Sequence, residues 1–292
     1  MAPTPRPSFG ILTAPMQVAY EEVLRVWEEA DTIPEIDHAW LFDHLLPIGG
    51  DLYGPIHEGW TLLSALAART ERLRLGLLVT SNRFRPPAHL ARIAASVDIV
   101  SGGRLDFGIG VGSRPDHPMA RREYEAHGLA FHDSEHAIGS FAEACAIVRR
   151  MWTSDEPFDV DGTYHQLTGA FCNPKPVQRP HPPMVIGGRA STTLRVAAEH
   201  ADVWNIPGGG DIDDVARRSA LLDRYCAEIG RDPAAIARST HIPVSYDDPA
   251  GTRRSIREAL DAGFTHVVLG LAPPYPTAVA SWVADELIVP SS

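Results

Sequence analysis

Leu73-Arg-Leu-Gly-Leu-Leu-Val79 is followed by Pro87-Ala-His-Leu-Ala-Arg-Ile-Ala-Ala-Ser-Val-Asp-Ile-Val100 and then by Arg104-Leu-Asp-Phe-Gly-Ile-Gly110. The outer two are short apolar runs, and the middle one opens on proline and repeats its apolar residues three and four apart. They read as strand, helix, strand. Two strands joined through a helix pair in parallel.

The same alternation extends both ways. Upstream lie strand Phe9–Thr13, helix Tyr20–Ala30, strand His38–Asp43 and helix Gly59–Ala68. Downstream, a helix over Glu135–Met151 completes the fourth pair. Strands follow at Met184–Gly187, Ala201–Ile206, His241–Ser245 and His266–Gly270. Their helices fall at Thr192–His200, Ile212–Ile229, Gly251–Ala262 and Thr277–Leu287. Eight strand–helix pairs predict a (β/α)8 TIM barrel, one domain over residues 1–292.

Two connections are long: Val111 to Ser134 after the fourth strand, and Trp152 to Pro183 before the fifth. The second contains Asn173-Pro-Lys-Pro-Val-Gln-Arg-Pro-His-Pro-Pro183, which resists helix and predicts an extended surface segment. Such insertions either cover a barrel's active-site mouth or act as spacers.

Composition narrows the function. The chain has 292 residues and a net charge of −11, without a basic block, so nucleic acid is not expected as a partner. Basic groups for an anionic ligand must be local, with Arg83, Arg85, Arg114 and Arg189 as candidates. Cys145, Cys172 and Cys226 are too few and scattered for a disulfide framework or zinc site. Neither a signal-peptide run nor a membrane-spanning segment is read, so the expectation is a soluble cytoplasmic protein.

Chemistry on a barrel gathers at the C-terminal strand ends. The first strand ends Leu12-Thr-Ala14 and offers no metal ligand, and no lysine lies on a strand for a Schiff base. No metal is expected, and His117, His127, His132 and His136 lack paired-ligand spacing. Ile186-Gly-Gly-Arg-Ala-Ser191 ends a strand and opens a helix. That arrangement either lets backbone amides hold a phosphate or is a plain tight bend. Asp43-His44 ends the second strand; it is either an acid/base pair or a capped turn with a hydrogen-bonded imidazole.

Five segments occur in order: Leu75-Gly-Leu-Leu-Val-Thr-Ser-Asn-Arg-Phe-Arg85, Ser101-Gly-Gly-Arg-Leu-Asp-Phe-Gly-Ile-Gly-Val-Gly112, Asn173-Pro-Lys-Pro-Val-Gln-Arg-Pro180, Val185-Ile-Gly-Gly188 and Ala201-Asp-Val-Trp-Asn205. Together they resemble the bacterial luciferase-like superfamily over nearly the whole chain. Asp43-His44 is similar to the Asp-His of its coenzyme F-420-dependent branch. The resemblance implies hydride transfer between a deazaflavin and a small organic substrate, with His44 near the reacting carbon and Asp43 against the ring. It implies a cis peptide at Leu78-Val79 behind the ring. Cofactor contacts would come from Ser81, from Gly110 and Gly112, and from a phosphate loop of Gly187, Gly188, Arg189, Ala190 and Ser191. Ser113, Trp204 and Asn205 would line the substrate pocket, and Arg83 and Arg85 could meet the acidic cofactor tail.

Relatives that oxidise glucose 6-phosphate carry a catalytic glutamate where this chain has Ser113, and a tryptophan where it has Ile48. A different substrate is therefore expected. The alternative within the superfamily is an FMN-dependent monooxygenase fed by a flavin reductase, and a third is a non-catalytic flavin-binding relative. A homodimer is implied in either case.

Overall fold

A computed structural model describes residues 6–113, 117–207 and 212–291. In chain order the elements are β1 (Ser8–Thr13), α1 (Tyr20–Asp31), β2 (His38–Leu41), α2 (Gly59–Ala67), β3 (Arg74–Leu77), β4 (Thr80–Ser81), α3 (Pro87–Val100) and β5 (Leu105–Gly110). Then come α4 (Pro118–Ala126), α5 (Ser134–Thr153), β6 (Phe158–Asp161), β7 (Gln166–Ala170), β8 (Met184–Gly187), α6 (Ser191–His200) and β9 (Val203–Pro207). The chain closes with α7 (Ile212–Glu228), β10 (Ala237–Pro243), α8 (Pro249–Asp261), β11 (His266–Leu271) and α9 (Val279–Val283).

The parallel strands run β3-β2-β1-β11-β10-β9-β8-β5, and β3 also pairs with β5, which closes the barrel. The short β4 continues the third strand beyond Leu78 and Val79 and pairs with β5. The predicted eight-stranded barrel is the observed fold. Alternate residues explain why the strand signal is strong: Ile11, Leu41, Leu77, Phe107, Ile186 and Leu269 pack outward on the helices, in the main core.

The inward set is smaller: Leu12, Trp40, Val185 and Val268, with Phe42, Leu78 and Val203 against them. Polar groups fill the rest of the lumen. His38 and His266 stack at 4.0 Å, Ser239 Oγ lies 2.8 Å from His266 Nδ1, and the Trp40 indole donates to His38 Nδ1 at 2.7 Å. An indole N–H can only donate, so His38 Nδ1 is the acceptor and its ring is neutral. Burial, reinforced by His266, pushes the His38 pKa well down, and burial brings His266 to about 4.

Four local expectations change. The seventh strand is Ala237–Pro243, earlier than His241–Ser245, because its inward residues Ser239 and His241 are polar and hide the hydropathy. The strand-four insertion contains α4, and the next one contains the β6–β7 hairpin. The proline-rich segment does not reach the mouth. Val177 and Gln178 amides donate to buried Asp98, and the Gln178 side chain joins the Leu105 carbonyl and Arg74, which fastens the segment where β5 begins.

Candidate active site

The third strand breaks after Leu77, and the Leu78–Val79 peptide is cis, as the resemblance implies. Glycines make this bend possible. A Cβ on Gly108 would lie 1.9 Å from the Leu77 carbonyl, one on Gly110 2.8 Å from Val79 Cγ2, and one on Gly187 3.0 Å from Val79 Cγ1. Val79 therefore occupies the side-chain space that Gly110 and Gly187 leave open. The bend walls a cavity of about 250 Å³ with Gly187, Gly188, Asn205 and His241 across from it. Burial lowers the His241 pKa, which favours a neutral imidazole on that wall.

Beyond Gly187 the chain enters α6. Gly188 has φ +145°, which favours glycine, and its amide bonds the Asn205 carbonyl at 3.1 Å. Ala190 gives α6 no side-chain cap, so the first-turn amides of Ser191 and Thr192 are open to an anion. A cleft of about 760 Å³ adjoins, with Arg189, Thr192, Thr193 and Arg218 on one wall and Gly112, Ser113, His117 and Ile138 on another. Trp204 does not line it. Its side chain faces outward in the main core with no exposure, and its indole donates to the Gly188 carbonyl at 2.8 Å. It braces the loop from behind, whereas Asn205, one residue on, faces the cavity.

At the second strand end, Asp43 and His44 part company. Odd positions of β2 point outward, so the Asp43 carboxylate lies in the wall, where Arg85 pairs with it at 2.6 and 3.1 Å and Thr80 donates to it. The Asp43 side chain has no exposure. Burial works against the Arg85 charge, but Asp43 and Glu58 outweigh it and raise its pKa above the ordinary value. The expectation that Asp43 touches the ring is thus corrected: its carboxylate holds the wall. Arg85 is likewise spent on Asp43 and Glu58 and is not free for a cofactor tail.

His44 faces the mouth, edge-on to Phe42 at 5.5 Å, and its side chain is 29% exposed. Its Nδ1 lies 3.2 and 3.3 Å from the two oxygens of Glu123, on α4. Glu123 is buried and also accepts the Leu45 amide at 2.5 Å. A carboxylate only accepts, so a neutral His44 donates from Nδ1 and turns an unprotonated Nε2 outward. This is the geometry of an oriented general base, or of an acid once Nε2 is protonated.

Helix α4 also sends Tyr124 to Ser81. The two hydroxyl oxygens are 3.4 Å apart, and Ser81 Oγ accepts the Arg83 amide at 3.2 Å. A Cβ on Gly112 would come within 2.6 Å of Ser81 Oγ, so Ser81 sits against Gly112 in the wall. Arg114 lies outside the described residues. Among the described residues no cluster of three metal-ligating side chains occurs, and no helix is long and apolar enough to cross a membrane.

Glu123 and His241 were missed from sequence. The signal for Glu123 was a carboxylate sharing the helical face of buried Ala120 and Tyr124, behind a proline that opens α4. For His241 it was the two-residue spacing from Ser239.

The luciferase-like monooxygenase family profile matches residues 8–282. An uncharacterized protein of Mycobacterium tuberculosis is 32% identical over 222 residues, covering 76% of this chain and 70% of that one. An F-420-dependent secondary alcohol dehydrogenase solved with an F-420–acetone adduct superposes with TM-score 0.84 at 17% identity, covering 98% and 99% of the two chains. The FMN-bound oxygenating component of 3,6-diketocamphane monooxygenase from Pseudomonas putida superposes at 0.75 and 14% identity, covering 97% and 98%.

Proposed function

We infer the reaction from one premise: the chain belongs to the luciferase-like monooxygenase family. We propose that it is an oxidoreductase that binds coenzyme F-420 in preference to FMN and acts on a small organic substrate.

The observation that carries the proposal is the His44–Glu123 pair at the mouth. Oxidation of an alcohol, or reduction of a carbonyl, moves a proton with each hydride, and an oriented imidazole serves both directions. The residues present fit a tricyclic ring with a phosphate. Glycines 110 and 187 let the Val79 side chain pack flat into the cavity wall, and the uncapped α6 start with Arg189 lies within the adjoining cleft. When bound, a deazaflavin supplies a carbon that exchanges hydride, whereas FMN also opens oxygen chemistry. Val79 would support the ring, Gly187 to Ser191 the phosphate, and Asn205 and Ser113 the ligands nearby. His44 Nε2 holds or accepts the proton while Glu123 fixes the ring's tautomer.

Either cofactor could use the same phosphate loop, so direct titration decides between them. Purified apoprotein titrated with F-420 and with FMN, followed by fluorescence, should bind F-420 at least tenfold more tightly, about 1.4 kcal/mol. Tighter FMN binding would assign the monooxygenase alternative. His44→Ala should bind F-420 normally and lose turnover.

A further inference from the structure

Beside the cleft lies a second chamber of about 370 Å³, walled by Asn82, Arg83, Phe84, His132, His136 and Tyr164. Arg83 and His132 line both spaces, so the chamber and the cleft adjoin at these two side chains. The cleft in turn shares Gly188 and Arg189 with the ring cavity. Arg83 thus stands beside the cleft that adjoins the ring cavity.

Arg83 is the unusual wall residue. Arg85, two positions on, has Asp43 and Glu58, but among the described residues no carboxylate forms an ion pair with Arg83. Among the described residues the acceptor on its guanidinium is the Val111 carbonyl, 3.3 Å from Nε, and Nη1 is buried without a hydrogen-bond partner. The neighbouring Asn82 is 6% exposed and its Oδ1 is also unpartnered. His132 and His136 stack at 3.8 Å nearby; burial, then His136 and Arg83, lower the His132 pKa.

Among the described residues, two acids near the chamber are already engaged. Asp133 caps α5 through the His136 amide, and Glu143 accepts the amides of Thr163, Tyr164 and His165. The Arg83 guanidinium also lies over the Tyr124 ring at 5.9 Å, a weak cation–π contact that leaves the charge without a carboxylate among the described residues and most of its desolvation cost unreturned. In a chain of net charge −11, a cation left uncovered beside a reaction cleft points to an anion brought by the ligand.

We propose that Arg83 binds the carboxylate of the substrate, which is thus an organic acid with an apolar body lying along Val111 and Ile138. Planar guanidinium and planar carboxylate match in shape, and the two imidazoles add donors without adding an acid. The chemistry after binding rests on the oxidoreductase reading, but the binding itself needs no cofactor. The competing source of the same chemistry is a carboxylate on the cofactor's own tail.

The test is calorimetric titration with benzoate and hexanoate against benzamide and hexanamide. It uses the full chain with no cofactor, with FMN and with F-420, at constant ionic strength, for wild type, Arg83→Gln and Arg83→Lys. Acids should bind and amides should not, with or without cofactor. Arg83→Gln should lose at least tenfold in acid affinity, Arg83→Lys should keep part of it, and both should bind F-420 as wild type does. Equal binding of acids and amides, or unchanged acid binding in Arg83→Gln, overturns the proposal. So does displacement of the acids by F-420 but not FMN together with weakened F-420 binding in Arg83→Gln, which would give Arg83 to the cofactor tail. Acid binding through Arg83 in a protein that holds neither cofactor would uphold the site and remove the oxidoreductase reading.

Discussion

Replacing Glu123 by glutamine changes almost nothing in volume and everything in hydrogen-bond direction. The amide oxygen can keep the Leu45 amide now held at 2.5 Å, which turns the new NH2 toward His44 Nδ1, 3.2 to 3.3 Å from the present carboxylate oxygens. Nδ1 must then accept, the ring proton moves to Nε2, and the atom facing the mouth can no longer take a proton. Loss of a hydrogen bond to the charged imidazole is about 1.5–3 kcal/mol, or about 10- to 150-fold in rate. Removal of the base function adds to this, within the roughly 10²–10⁴-fold that such catalysis supplies. We expect kcat to fall about 100-fold on an alcohol substrate, with KM and cofactor Kd within about threefold of wild type. A readout independent of any substrate is ¹⁵N NMR of the His44 ring, in which protonation should switch from Nδ1 to Nε2. An unchanged tautomer, or full turnover in Glu123→Gln, refutes the reasoning.

Asp43→Ala should act on stability: it removes the buried partner of Arg85 and leaves Glu58 alone, costing about 1.5–3 kcal/mol, and thermal unfolding with the Asp43→Ala/Arg85→Met double variant should show non-additivity. Gly110→Ala places a Cβ 2.8 Å from Val79 Cγ2 and should weaken cofactor binding at least tenfold, about 1.4 kcal/mol, by fluorescence titration while the far-UV circular dichroism stays native. His38 and His266 have folded pKa values below the unfolded one, so the unfolded chain binds more protons as pH falls. Their contribution is complete above about pH 6.5 and is lost as pH falls, for His266 through about 4. Urea midpoints should decline with a slope of about 1.4 kcal/mol per pH unit for each group, and His266→Gln should flatten it.

Strand alternation was legible because outward residues such as Ile11, Phe107 and Ile186 are apolar at every second position, and each strand is spaced from the next by a helix. The bend at Leu78-Val79 was legible only through the family resemblance, and the glycine loop before α6 only as one of two alternatives, because the contacts of Gly110 and Gly187 with Val79 join separate strands. The assignment of Trp204 failed on face: in a strand, one residue's shift reverses the direction of a side chain, and Asn205, not Trp204, takes the inward position. The strand around Ser239 and His241 was misplaced because a polar lumen removes the apolar half of the alternation.

The sequence alone determined a closed parallel barrel and which residues stand at its C-terminal strand ends, because backbone propensity and apolar period are local and repeat with each strand and helix. Tertiary structure decided which groups meet there. Arg85 reaches Asp43 across 42 positions and Glu123 reaches His44 across 79, and no period in the chain encodes separations of that kind. Adjacent in sequence, Asp43 and His44 have opposite surroundings: one carboxylate is neutralised in the wall, and one imidazole is held toward the mouth.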